Sequence, residues 1–430
     1  MNSSTAQASP AAHPAPENAR LDYLDATRAF ALLLGVLFHA CMSFMPVFMG
    51  WAVQDISTSP LVAQFVGVSH TFRMETFFLL AGFLSHLTFH RKGAGEFIRA
   101  RLLRIVVPFV AGWFLLRPLM VSGWIMGSAS LRGDADVWAG LVGGFQSLST
   151  LPAGIFTGSH LWFLYYLVLV TTLTLLLRAL AAAAGPWGRA LLSGADALAA
   201  WLAKSPFAVP LLALPTAGAL WFMRYWGMDT PDQSLMPHVP ALLIFGGFFG
   251  FGWMLSRQRG LIVQLSRLTL QRWILAALGV AAILLLGHIE RDPAHPRHVA
   301  AHVAYAFGYS LTMWSLALLT IGLFRKFFHK PSPAIRYLAD SSYWMYLIHL
   351  PLVVWLQVAA AEIPLHWSLK LAAITALTIA LSLATYDLFV RSTAIGWLLN
   401  GRRRPRALTP WLAKGRLKLA GQPGLRSCLK

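Results

Sequence analysis

Between residues 28 and 390, long apolar runs alternate with short polar stretches, at lengths that fit a lipid bilayer rather than a soluble core. Ten runs read as transmembrane helices, near residues 28–49, 62–89, 103–122, 160–180, 207–226, 236–255, 272–288, 299–323, 342–361 and 367–390. Several contain Gly or Pro, which membrane helices tolerate when neighbours satisfy the freed backbone groups. The pattern predicts an all-α fold, a polytopic membrane helix bundle of about ten transmembrane helices. Residues 1–20 are rich in Ala, Pro and Ser and read as a disordered leader with no cleavable signal. Residues 401–430 form a basic tail that fits disorder as well as it fits a segment lying on anionic lipid. The connection 118–159 mixes Gly, Ser and Trp and reads as a long outward segment dipping back toward the membrane. No inverted repeat of the transporter kind is visible.

Composition sharpens this picture. Apolar residues make up 57% of the chain and charged residues 12%, about half the roughly 25% usual in soluble domains. That excludes a disordered chain, a disulfide scaffold and an ordinary cytosolic enzyme. The two cysteines, Cys41 and Cys428, imply no disulfide framework. A net charge of +19 would suggest a nucleic-acid partner in a soluble protein, but its placement along this chain argues otherwise. With the N-terminus cytoplasmic, inward segments hold 28 of the 35 Lys and Arg residues, and outward segments hold five: Arg117, Arg132, Arg224, Arg291 and Arg297. The excess is therefore a topology signal that puts both termini in the cytoplasm. The lipid bilayer, with no nucleic acid, is the expected surrounding.

Polar side chains inside spans are the informative ones, because each costs a few kcal/mol unless it is paired or functional. In the first span Arg28 and His39 stand eleven positions apart. That spacing returns them to within about 20° of one face, with a rise of about 16 Å. Arg suits phosphate and His suits general-base work, although either alone could serve as a helix-end anchor or a packing residue. The second span contains HTFRMETFFLLAGF, in which His70 and Arg73 share a face while Glu75 points elsewhere. Partners on other spans could answer both charges. Arg99, Arg101 and Arg104, just before the third span, read as a positive-inside cluster or as a site for donor phosphates shared with Arg28. The fourth span opens with His160, Trp162, Tyr165 and Tyr166; an aromatic belt explains the rings, and His160 could face a sugar. His349, in SSYWMYLIHLPLVVW, reads as a histidine bonding a neighbouring helix. His288, His295, His298 and His302 fit no zinc spacing, so no metal site is expected. Cys41 faces away from His39 and is not a candidate nucleophile.

In this order the segments resemble the membrane acyltransferase-3 family. Arg28 and His39 match its Arg and His separated by ten residues, and Arg101 and Arg104 match its Arg-x-x-Arg. Its FFxxSGF element stands as FFLLAGF at residues 77–83, where Ala81 in place of Ser argues against a catalytic hydroxyl. HTFRMETFF, SHLWFL and YLIHLPL are similar to the branch that succinylates osmoregulated periplasmic glucans. The resemblance implies an acyltransferase membrane domain over residues 21–400, in a bacterial inner membrane. It implies acyl-CoA, succinyl-CoA in that branch, as co-substrate with no further cofactor. Its phosphates would meet Arg28, Arg101 and Arg104. The acceptor would be a glucose hydroxyl of a periplasmic glucan, with His39 as general base and Glu75 orienting it. Arg73, His70, His160, Trp162 and His349 would recognise the acyl group or the acceptor, and glucan-synthesis machinery is an implied partner. Three alternatives stay open: O-acetylation of another surface polysaccharide, export or flipping of a glycan or lipid-linked substrate, and a purely structural role in a synthesis complex. The last would leave the buried His and Arg residues unexplained.

Overall fold

The computed structural model describes residues 22–130, 135–149, 159–223, 227–328 and 330–407. The leader 1–20 and the tail beyond residue 407 lie outside the described residues. Among the described residues every regular element is helical. The chain forms α1 (Asp22–Cys41), α2 (Pro60–His70), α3 (Arg73–Lys92), and α4 (Ala94–Arg101), which runs through a π-helical turn (Leu102–Val106) into α5 (Val107–Ser130). There follow α6 (Val137–Gln146), α7 (Trp162–Ala183), α8 (Gly185–Lys204), α9 (Ala208–Leu220), α10 (Val239–Arg257), α11 (Gly260–Leu265) and α12 (Leu270–Glu290). The remainder are α13 (His298–Phe327), α14 (Pro333–Ala360), α15 (Trp367–Thr385), which continues into a π-helical turn (Tyr386–Val390), and α16 (Ala394–Asn400). Among the described residues, eight stretches are long and apolar enough to cross a membrane. The protein is a multi-pass helical bundle.

Cross-helix contacts fix the relative directions of several passages. If the first, third and ninth passages run the same way, α1, α5 and α14 must be parallel. They are: Arg28 reaches the Ala339 carbonyl (3.4 Å) while Gln357 donates to those of His39 (2.9 Å) and Ala40 (3.1 Å). Likewise Tyr343 donates to the Arg104 carbonyl (2.5 Å) and Trp355 to that of Leu119 (2.9 Å). Passages two and six, α3 and α10, are also parallel, with Phe78 on Phe245 and His86 on Ser256.

Five expectations need correction. The first helix starts at Asp22 rather than 28 and ends at Cys41, because Pro46 and the loop beyond it cannot continue the helix. The second span is broken: α2 stops at His70 and α3 starts at Arg73. His70 and Arg73 therefore do not share one helix face. The third passage continues to Ser130, so residues 118–130 are helix and Arg117 is not a loop charge. The fifth passage, expected over 207–226, is a helix of 13 residues, about 20 Å long and short of the roughly 30 Å hydrocarbon core. Finally, residues 181–206, read as a loop, form α8, whose Trp187, Leu191, Leu198 and Trp201 are exposed. The dip expected in 118–159 takes the form of α6, which doubles back along α5, Gly140 against Met126 and Gly144 against Pro118.

Outward-facing leucines on α7, including Leu173, Leu176, Leu177 and Leu180, suit a lipid surrounding. Lipid gives apolar helices little reason to associate, so close approach through small residues matters. At the α3–α10 crossing, a Cβ on Gly82 would lie 1.9 Å from the Phe249 carbonyl oxygen, and one on Gly252 2.0 Å from that of Leu79. Two apolar cores result, one built on α3, α7, α10 and α13, the other on α1, α2, α14 and α15.

The loop between α1 and α2 is fastened by a buried ion pair. Lys370 Nζ on α15 donates to Asp55 Oδ1 (2.5 Å) and to the carbonyls of Ile363 (2.9 Å) and Ala360 (3.3 Å), so all three ammonium protons have acceptors. Replacing Lys370 by Met strands a buried carboxylate and should cost about 3–5 kcal/mol. The thermal unfolding midpoint of detergent-solubilised Lys370→Met should fall, and Asp55→Leu added to it should recover part of the loss. An unchanged midpoint in the single variant would contradict this role.

Candidate active site

A cavity of about 530 Å³ lies between the two apolar cores, with walls from α1, α3, the α4–α5 junction, α7 and α14. One end is lined by Asp25, Arg28, Arg101, Arg104 and Asn400. The other is lined by His39, Arg73, His160 and His349, with Thr230 at its edge. Apolar side chains such as Leu32, Leu80 and Leu84 line the length between them. Arg28 and His39 face this one cavity, as their spacing on α1 requires.

The basic end is built by local backbone. Arg101 and Arg104, three positions apart at the π-helical turn Leu102–Val106, both line the cavity; such π-turns recur at functional sites. Arg101 donates to Ser85 Oγ (2.5 Å) and lies 4.9 Å above the Phe97 ring. Arg28 pairs with Asp25 at 3.4 Å. Arg104 packs on Gly401, whose φ of 73° is left-handed and whose absent Cβ would collide with the guanidinium. Asp340 holds Arg402 (3.2 Å) and Arg404 (3.1 Å), so the start of the basic tail is latched beside this mouth. Arg99 is not part of it: it is exposed and pairs with Glu96 at 3.6 Å.

Three imidazoles meet at the far end. The His349 ring lies 5.3 Å from that of His39 and 5.6 Å from that of His160. His349 Nδ1 must donate, because it faces the carbonyls of Tyr346 (2.8 Å) and Met345 (3.2 Å), which leaves Nε2 as an acceptor. His160 Nε2 donates to the Leu347 carbonyl (2.9 Å), and its buried Nδ1 has no partner. His349 lines the cavity, and its hydrogen bonds go to carbonyls of its own helix rather than to a neighbouring one. His39 Nδ1 is also without a partner, and the ring stacks on Trp51 at 5.7 Å. Trp51 Nε1 donates to Gln357 (2.8 Å), so the loop between α1 and α2 covers His39.

Arg73 is buried, its guanidinium 4.1 Å from the Phe38 ring centroid, with Nε and Nη1 unpartnered. Glu75 is fully buried outside the cavity lining, both carboxylate oxygens without hydrogen bonds among the described residues. It interacts electrostatically with Arg73, and the structure does not bring it to His39. His70 lies behind the wall, 3.1 Å from the Tyr309 hydroxyl and 3.2 Å from Thr230 Oγ1. Trp162 is a buried part of the wall, packed on Phe245. Sequence reasoning missed Trp51, Asp340, Tyr343 and Tyr346. The two tyrosines stand three and six residues before His349, a helical repeat of hydroxyls and imidazole that was open to notice. Tyr346 donates to the His160 carbonyl at 2.7 Å.

Fold and cavity together define a multi-pass membrane protein with its ionisable groups enclosed inside the bundle. The chain belongs to the acyltransferase-3 family: residues 21–387 match the family profile described as an acyltransferase domain. It is thus a membrane enzyme of an acyl-transferring family. Among curated relatives it is similar to glucans biosynthesis protein C of Escherichia coli K12, of strain SMS-3-5 and of O1:K1 / APEC, each 30% identical over 151 residues. The matched segment is 35% of this chain and spans only 37% of those relatives' length. No solved structure matches.

Removing the Trp51 ring should expose His39. Diethyl pyrocarbonate modification of His39, mapped by mass spectrometry, should be several-fold faster in Trp51→Ala than in the unaltered protein. Equal rates would show that Trp51 is not the cover.

Proposed function

We propose that the protein is an O-acyltransferase that moves a succinyl group from cytoplasmic acyl-CoA to glucose hydroxyls of a periplasmic glucan. One observation carries this reading: a single cavity joins the guanidinium groups of Arg28, Arg101 and Arg104 to the imidazole of His39. In this reading the basic end faces the cytoplasm, consistent with the loop charges, and the chain sits in a bacterial inner membrane. The glucan acceptor is carried over from the name of the relatives.

The donor's phosphates bind the three planar guanidinium forks. Its pantetheine arm follows the apolar wall for the roughly 16 Å rise from Arg28 to His39. The acceptor hydroxyl arrives from the opposite end, past Thr230. His39 takes the hydroxyl proton as the oxygen attacks the thioester carbonyl. The tetrahedral adduct then collapses, the C–S bond breaks, and the leaving thiolate regains that proton from the imidazolium as CoA thiol. Arg73 holds the distal carboxylate of the succinyl group, with Glu75 as its buried counter-charge. His349 Nε2 accepts a hydrogen bond from a hydroxyl of the acylated sugar, His160 faces the acceptor, His70 positions Thr230, and Trp162 closes the wall.

Three measurements test this. His39→Ala should lower transfer from radiolabelled succinyl-CoA to purified glucan by at least about 10²-fold, the scale of general-base catalysis, with the protein still folded in the membrane. Near-normal transfer would refute the base assignment. Arg73→Lys should reduce succinyl transfer at normal protein level, whereas unchanged product would remove Arg73 from acyl recognition. Product mass identifies the acyl group, and an acetylated product would refute the succinyl assignment.

A further inference from the structure

Arg117 lies near the middle of the 24-residue helix α5. An arginine at that depth calls for an answering group, and the one it meets is aromatic: its guanidinium lies 4.8 Å from the Trp113 ring centroid. Its Nε is buried and has no hydrogen-bond partner. Trp113, Arg117, Trp124 and Ser128 recur at helical spacing and form one wall of a second cavity of about 420 Å³, opposite His160 and Leu161.

This second cavity adjoins the first. His160 lines both, and its unpartnered Nδ1 is buried at their junction. A second route runs through rings: Trp124 meets Trp51 edge-on at 5.3 Å, and Trp51 stacks on His39. The cavity is also level with the loop that covers His39, because Gly127 on α5 packs against Ala52.

Two indole faces with a guanidinium, a hydroxyl and an imidazole nitrogen between them make a mixed lining. A lipid chain would leave the polar groups unanswered. A pyranose would not, since its C–H faces pack on indole while its hydroxyls donate to His160 Nδ1 and accept from Arg117. We propose that this cavity is the acceptor subsite, holding the sugar unit beside the one acylated at His39. The assignment rests on the acyltransferase reading above and adds to it where the glycan is gripped.

The test uses the full protein in nanodiscs, with succinyl-CoA as donor. The acceptor is unacylated periplasmic glucan from a strain lacking the protein. Arg117→Gln and Trp124→Ala should each raise the acceptor KM at least tenfold while the donor KM stays within twofold, and Trp124→Phe should restore most of the loss. Glucan binding by equilibrium dialysis without donor keeps the two readings separate. Absence of transfer by the unaltered protein would refute the proposed function, yet weakened glucan binding in Arg117→Gln would still support the subsite. Unchanged acceptor KM and unchanged binding in folded Arg117→Gln and Trp124→Ala would overturn it. So would a matching rise in donor KM, or a loss of co-purified phospholipid with glucan binding intact.

Discussion

Lipid cannot hydrogen-bond a guanidinium, an imidazole or a carboxylate, so each such group within the bundle must be answered by the protein or by what the protein binds. This chain treats its buried ionisable groups in two ways. Lys370 is fully answered, by Asp55 and two carbonyls, and fastens a loop. Around the main cavity the answers are incomplete: His39 Nδ1, His160 Nδ1 and two nitrogens of Arg73 have no partners. Polar groups left without protein partners beside a cavity are groups that a bound polar ligand can answer.

The cavity exists because the bundle has two cores rather than one. Tight glycine contacts draw α3 onto α10, while α1 packs with α2, α14 and α15, and the cavity occupies the seam. α1 and α14, running parallel, carry paired functions along their length. Arg28 stands beside Ala339 and the Asp340 latch at one end, and His39 beside His349 at the other. The guanidinium of Arg28 and the imidazole of His39 are thus held at fixed separation by two helices that share a direction.

Much of this could be read from the residues. Helical spacing put Arg28 and His39 on one face, and both line one cavity. The misses have physical causes. Nothing in Thr71–Phe72 marks the break between α2 and α3, since neither residue is Gly or Pro. The stretch after Val121 looks like a loop because of its Gly and Ser. In the folded chain Gly123 is where α14 presses against α5, Gly127 is where the 51–53 loop does, and Ser122 is where α6 does. That misreading hid Arg117 among loop charges. α8 was hidden for the opposite reason: its apolar face is one stripe of a helix, too interrupted to read as a span.

The most direct measurement is an electron density map of the protein bound to a non-hydrolysable succinyl-CoA analogue. The phosphates should lie within hydrogen-bonding distance of Arg28, Arg101 and Arg104, with the acyl carbon beside His39 and the pantetheine arm along the seam between the cores. A nucleotide bound on any other surface, or an acyl end outside the cavity, would contradict the shared corridor from which the mechanism is built.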